Sequence, residues 1–224
     1  MKASCRSFSL VLLSVGLGSA CLGQAPEPSC PANAPTSNAA VAELARQVRE
    51  RSFPELAHIK FQVSNFRSQN DYFRTRFSLP RFFFLLPMRY SVQVNPGLFT
   101  EHAPTPGVCA VLAHELSHLT ALSHGNRIRR FGLVRLISDS YTARFERQTD
   151  LEAIHRGYGD GLKDYRNWVY AHIAPSKVAE KKRRYFSPEE IDSIEHRLRE
   201  HPEILTYWRK HVPLDLAEVQ KSPQ

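Results

Sequence analysis

The run His114-Glu115-Leu116-Ser117-His118 places two imidazoles and a carboxylate close together in the chain. On a helix, positions four apart share a face, so both imidazoles can reach one ion. Glu115 then falls beside that face, where a carboxylate meets a water on the ion rather than the ion itself. Zinc brings the pKa of such a water from ~15.7 to about 7, and a neighbouring glutamate takes its proton during attack on a carbonyl. The flanks, Val108-Cys109-Ala110-Val111-Leu112-Ala113 before and Leu119-Thr120-Ala121-Leu122 after, are apolar on nearly all sides. Such a helix is expected to be buried, and buried histidine and glutamate need polar partners or a metal. The bland alternative, two surface histidines on an ordinary helix, fits those flanks poorly.

Catalytic zinc needs a third protein ligand and an open fourth position. His124 extends the motif to HELSHLTALSH, the spacing of the metzincin motif. That motif has glycine where this chain has Ala121, and the glycine lets the chain turn sharply enough for the third histidine to swing back. Metzincins also carry a downstream methionine under the site, whereas Met1 and Met88 both lie upstream. Glu146 is the preferred third ligand. Asp150 stands four residues later, so the two carboxylates share a helix face and repel each other. A metal on Glu146 and a histidine N–H donated to Asp150 would reverse that cost. Ala143 and Ala153 leave room on this face for close helix approach. The competing reading is a solvated acidic face with Arg147 nearby.

With these residues in place, the chain resembles the M48 group of gluzincin metallopeptidases, which includes CAAX prenyl endopeptidases and periplasmic chaperone-like proteases. In that group HExxH supplies two histidine ligands and the base, and a downstream ExxxD supplies a glutamate ligand and a supporting aspartate. The resemblance implies metal ligands His114, His118 and Glu146, base Glu115 and supporting residue Asp150. It covers residues 85–160, including residues 90–98 and the approach Ala110-Val111-Leu112-Ala113. Thr149 replaces the group's usual alanine. His201-Pro202 is similar to a downstream histidine of the group that helps stabilise an oxyanion. Arg209 stands further from it than the group's arginine does, and a helix end followed by a turn explains His201 equally well.

These side chains need elements to hold them. Residues 39–51 have helical spacing of Val41, Leu44, Ala45 and Val48. Residues 59–63 alternate as a strand, residues 72–78 alternate less cleanly, and residues 81–86 are dense in Phe and Leu between Pro80 and Pro87. Residues 90–94 alternate well and stop at the turn Asn95-Pro96-Gly97, so they form the expected edge strand for adding an extended peptide. Thr105 and Pro106 start the motif helix, which runs to Ser123 with Gly125 after it. A second helix spans residues 139–156, closed by Gly157, and the glycines at 157–161 read as a tight turn. Ser187-Pro188-Glu189-Glu190 opens a third with a capping box. The expected fold class is α+β: a mostly helical zincin-type metallopeptidase domain, its small sheet packed on the active-site helix.

The 224 residues suffice for one domain with a real core, and 42% hydrophobic content with 13 Phe and 8 Tyr argues against a disordered chain. Lys2 and Arg6 precede the apolar run at residues 8–17, and small residues follow, the pattern of an export signal. The expected cut follows Gly23, with Ala20 the alternative. Cys21 raises lipoprotein processing, against which Gly18 counts. Residues 24–37 read as a flexible leader and 38–224 as a single metallopeptidase domain with a helical C-terminal extension. The net charge is +8. No groove-reading motif accompanies it, so nucleic acid is not an expected partner. The basic, apolar run at 128–137 has the composition for peripheral contact with anionic membrane, though packing on the body with solvated arginines is favoured. Cys30 and Cys109 remain after processing, either as a disulfide or as two buried thiols.

The expected function is a secreted or periplasmic zinc endopeptidase acting on peptide or protein substrates. The alternative is a zinc-binding envelope protein of the same fold that acts as a chaperone-like or scaffolding module.

Overall fold

The computed structural model describes residues 30–31, 33–78, 81, 88–123 and 139–221. The expected export signal, Cys21, His124, Gly125, the run at 128–137 and all but Arg81 of residues 81–86 lie outside the described residues.

Helix α1 (Asn38–Ser52) starts at Ser37, whose hydroxyl accepts from the Ala40 N–H at 3.2 Å. It buries Val41, Leu44, Ala45 and Val48, the expected stripe. Three strands follow: β1 (Phe61–Asn65), β2 (Phe73–Phe77) and β3 (Tyr90–Val94), in the order β1-β3-β2. β1 runs parallel to β3, and β2 antiparallel to it. The expectation that residues 90–94 form the edge is therefore corrected: β3 is the central strand. Its alternation reflects the burial of Tyr90, Val92 and Val94 on one face, and two strands pair with its backbone. A one-sided hydrophobic pattern reports which face is covered; it carries no information about strand order.

After the short α2 (Gly97–Thr100) comes α3 (Thr105–Ser123), the motif helix, with fifteen of its residues buried. Helices α1 and α4 (Asp139–Ala153), strand β2 and α5 (Gly159–His172) all pack on it, which is why it is apolar all round. The chain is thus mostly helical with a small three-stranded sheet, an α+β arrangement.

Between α4 and α5 the backbone widens into a π turn at Ile154–Tyr158, where Gly157 has φ 87°, a left-handed conformation that glycine adopts without penalty. The glycines read as a loop are in part the start of α5, an element the periodicity did not reveal. Gly161 lies against α3: a Cβ there would stand 2.5 Å from the Pro106 carbonyl oxygen and 2.9 Å from the Ala110 Cβ. Gly161→Ala is expected to destabilise the protein by about 1–3 kcal/mol through forced separation of α3 and α5, outweighing a propensity gain of ~1 kcal/mol. Denaturant titration checks this; a variant as stable as the parent would mean the two helices part freely.

The C-terminal region adds α6 (Pro175–Arg184), α7 (Pro188–Glu200), α8 (Ile204–Trp208) and α9 (Leu216–Gln220). The capping box of α7 is present, with Ser187 and Glu190 bonding each other's backbone N–H. Arg147 of α4 is not on a solvated face. It is 1% exposed, donates to the carbonyls of Lys182 and Arg183 at the end of α6, and pairs with Glu190 at 2.9 Å. Cys30 and Cys109 are joined as a disulfide with their Cα atoms 6.4 Å apart, which settles the two alternatives.

Candidate metal centre

Helix α3 presents His114 and His118 to α4, where Glu146 meets both. The Glu146 Oε2 lies 3.1 Å from His114 Nε2 and 3.2 Å from His118 Nε2. Asp150, one turn further along α4, is fully buried, and its Oδ1 accepts from His114 Nδ1 at 2.7 Å. That bond places the imidazole proton on Nδ1 and leaves a lone pair on Nε2, pointed at a carboxylate oxygen. Electron pairs aimed at one another repel unless a cation lies between them. The cation is either a proton or a metal ion.

The donor set fits a metal. His114, His118 and Glu146 each offer one ligand atom, and these atoms lie within 4.8 Å of one another. Two ligands bound to zinc at ~2.0–2.1 Å with tetrahedral angles stand roughly 3.3–3.4 Å apart, close to the observed separations. Two nitrogens and one carboxylate oxygen suit a borderline ion such as zinc better than a hard one such as magnesium. The group can hold a metal ion.

Without a metal, the charges lean on each other. Burial opposes ionisation of Glu146, but His118 and His114 outweigh it and hold its carboxyl well below the usual range. Burial likewise opposes a charge on His114, yet Asp150 and Glu146 raise its pKa to about 10. The metal-free protein thus keeps a proton on His114 at neutral pH, and a metal must displace it. Because the folded value exceeds the ordinary 6.5, this proton stabilises the metal-free fold fully below pH 6.5, and the stabilisation fades as pH climbs towards about 10. Metal uptake at pH 7.5 is expected to release protons. Calorimetry in two buffers of different ionisation enthalpy reads this directly; identical heats would show that no proton leaves.

Glu115 is 4% exposed and its Oε2 is buried with no hydrogen-bond partner. Its backbone carbonyl accepts from the Thr75 hydroxyl of β2 at 3.3 Å, so the strand next to Glu115 is β2. A buried carboxylate without a partner is costly and demands a water or substrate group. A cavity of about 30 Å³ lies beside it, lined by His114, Tyr165, Arg166 and Tyr185 among others. That is room for about one water.

The structure thus gathers His114, Glu115, His118, Glu146 and Asp150. It does not bring His201 to them. His201 caps the end of α7, its side chain 55% exposed and 3.4 Å from Glu203, away from the residues lining the cavity. Arg209 pairs with Glu152 at 2.6 Å instead. The helix-end explanation of His201 is the one the geometry fits. The sequence reading missed Arg166, whose Nη2 donates to both Asp150 oxygens, and the tyrosines at 165 and 185. The available signal was a basic residue beside an aromatic one in the helix after Gly157, which is too common a pattern to single them out. Comparison of the chain with protein-family models, with curated proteins and with solved structures finds no match.

Proposed function

We propose that this protein is an exported zinc-dependent endopeptidase with a zincin-type domain of the M48-like gluzincin kind. The observation that carries the reading is Glu115: a buried side chain, one carboxylate oxygen of which has no hydrogen-bond partner, on the helix that holds two converging imidazoles. A site that only held a metal would have no use for that group.

A zinc ion bound at the site would supply Lewis acidity, enough to bring a water's pKa near neutrality and polarise a peptide carbonyl. His114, His118 and Glu146 would hold the ion. Asp150 keeps the His114 proton on Nδ1, so that Nε2 stays free for ligation. Glu115 takes the proton of the attacking water and returns it to the departing amine. Strand addition of an extended substrate belongs to β2, the sheet strand beside Glu115, rather than to β3. The Cys30–Cys109 disulfide supports folding in an oxidising compartment, as the N-terminal export pattern does. No helix among the described residues is long and apolar enough to cross a membrane.

The test is digestion of a reduced, unfolded protein by the purified chain. Cleavage should stop with 1,10-phenanthroline and return with zinc. Stoichiometric zinc without cleavage of any unfolded substrate would replace this reading with a chaperone-like zinc-binding module.

A further inference from the structure

We propose that Arg166 is a positioning residue of the metal centre: it holds Asp150 in the one orientation that directs His114 Nε2 at the ion. This rests on the metal site of the preceding section and does not depend on proteolysis.

The Asp150 carboxylate is fully buried, so no solvent fixes it. It is held from three sides by three parts of the fold. Its Oδ1 accepts from His114 of α3 at 2.7 Å and from Arg166 of α5 at 2.8 Å. Its Oδ2 accepts from Arg166 at 3.1 Å and from the Phe186 N–H, between α6 and α7, at 3.0 Å. One guanidinium nitrogen thus spans both oxygens and sets the plane of the carboxylate, which in turn sets the imidazole. The guanidinium is itself held, 4.5 Å over the Tyr185 ring and 5.8 Å from that of Tyr165. At 5% exposure it has no freedom to leave.

Charge supports the same role. Glu115, Glu146 and Asp150 put three carboxylates beside the histidines, two of them buried and Glu146 half-buried. A divalent ion cancels two, and Arg166 cancels the third. Without Arg166, Asp150 would be a buried anion held only by the imidazole and the Phe186 N–H, with no full positive charge beside it. It would then pull towards the ion it should serve from behind, or rotate off His114 altogether.

The placement depends on the close crossing at Gly161. Arg166 follows on the same helix, and Gly107 of α3 packs directly on the backbone of Tyr165: a Cβ there would stand 3.1 Å from it. This contact brings a guanidinium from α5 within reach of a carboxylate on α4. Lysine carries the charge but not the planar group that lies over the Tyr185 ring, so it should restore only part of the function.

The experiment compares zinc affinity, by competition with a chromophoric chelator, and the visible absorption of the cobalt-loaded protein in the parent, Arg166→Met, Arg166→Lys, Asp150→Asn and the Arg166→Met/Asp150→Asn double variant. Arg166→Met is expected to weaken zinc binding by about 10–100-fold and to shift the cobalt bands. Lysine should recover part of both, and the double variant should bind no more weakly than the weaker single one. Parent-like affinity and spectrum in Arg166→Met would overturn the proposal, as would losses that multiply in the double variant. If Arg166→Met does not fold, Arg166→Lys decides: an unchanged cobalt spectrum and affinity overturn the role, and a partial loss of both supports it. A parent that takes up neither zinc nor cobalt removes the metal centre itself, and the role of Arg166 falls with it.

Discussion

Replacing Glu115 by glutamine is expected to reduce peptide cleavage by about 10²–10⁴-fold while leaving one zinc bound per chain. The substitution keeps the shape of the side chain and removes only the ability to accept a proton. Neither His114, His118 nor Glu146 touches the Glu115 side chain through a hydrogen bond, so the ligand set has no reason to change. Stability should hold as well, because the parent carboxylate is buried with an unpaired oxygen and contributes nothing that an amide would lose. Glu146→Gln provides the contrast. It removes the charge that both imidazoles face, and it should lose metal and cleavage together. Progress curves on a quenched peptide, metal analysis and thermal unfolding of the three proteins separate the two outcomes. A Glu115→Gln protein that cleaves as the parent does would end the assignment of the base.

Loss of the Cys30–Cys109 disulfide should have the largest effect on stability. The bond closes a loop with a sequence separation of 79, which contains α1 and the entire sheet, and ties it to the second turn of α3. By loop-closure entropy, removing such a link costs about 4–5 kcal/mol. In a domain of this size that corresponds to a fall in melting temperature of roughly 10–15 °C. Cys109 is 1% exposed and sits one turn and a half before His114, so the link also pins the start of the helix that carries His114 and His118. Unfolding with and without reductant, and of Cys30→Ser, should agree on this shift. For a chain beginning at Gln24, thiol titration of the native protein should find no free thiol; two free thiols, or no shift on reduction, would sink the expectation.

These two experiments address features that were unequally legible in the amino-acid sequence. His114, Glu115 and His118 could be read because a helix converts sequence spacing directly into direction, and a four-residue step returns to the same face. The helices at residues 38–52 and 188–200 were legible for related reasons: a buried stripe at helical spacing in the first, a capping box in the second. The pairing of Glu146 with Asp150 was also local, since both lie on one face of α4.

What lay beyond reach was whatever depended on two elements meeting. Residues 90–94 alternate alike whether central or at an edge, and only the registers with β1 and β2 decide. Helix α5 was hidden because the glycines that let it approach α3 resemble loop glycines. The Cys30–Cys109 bond needed a spatial distance that no spacing supplies. His201 matched a motif, but its helix ends in solvent.

The zinc-type motif at residues 114–118 was therefore determined by the chain itself, through helix geometry and residue chemistry. Its completion was decided by tertiary structure alone. Glu146 reaches both imidazoles only because α4 packs on α3, and Asp150 finds Arg166 only because α5 crosses α3 at a glycine. Hydrogen bonds and ligation act over about 3 Å, a distance that sequence separation cannot encode and packing must supply.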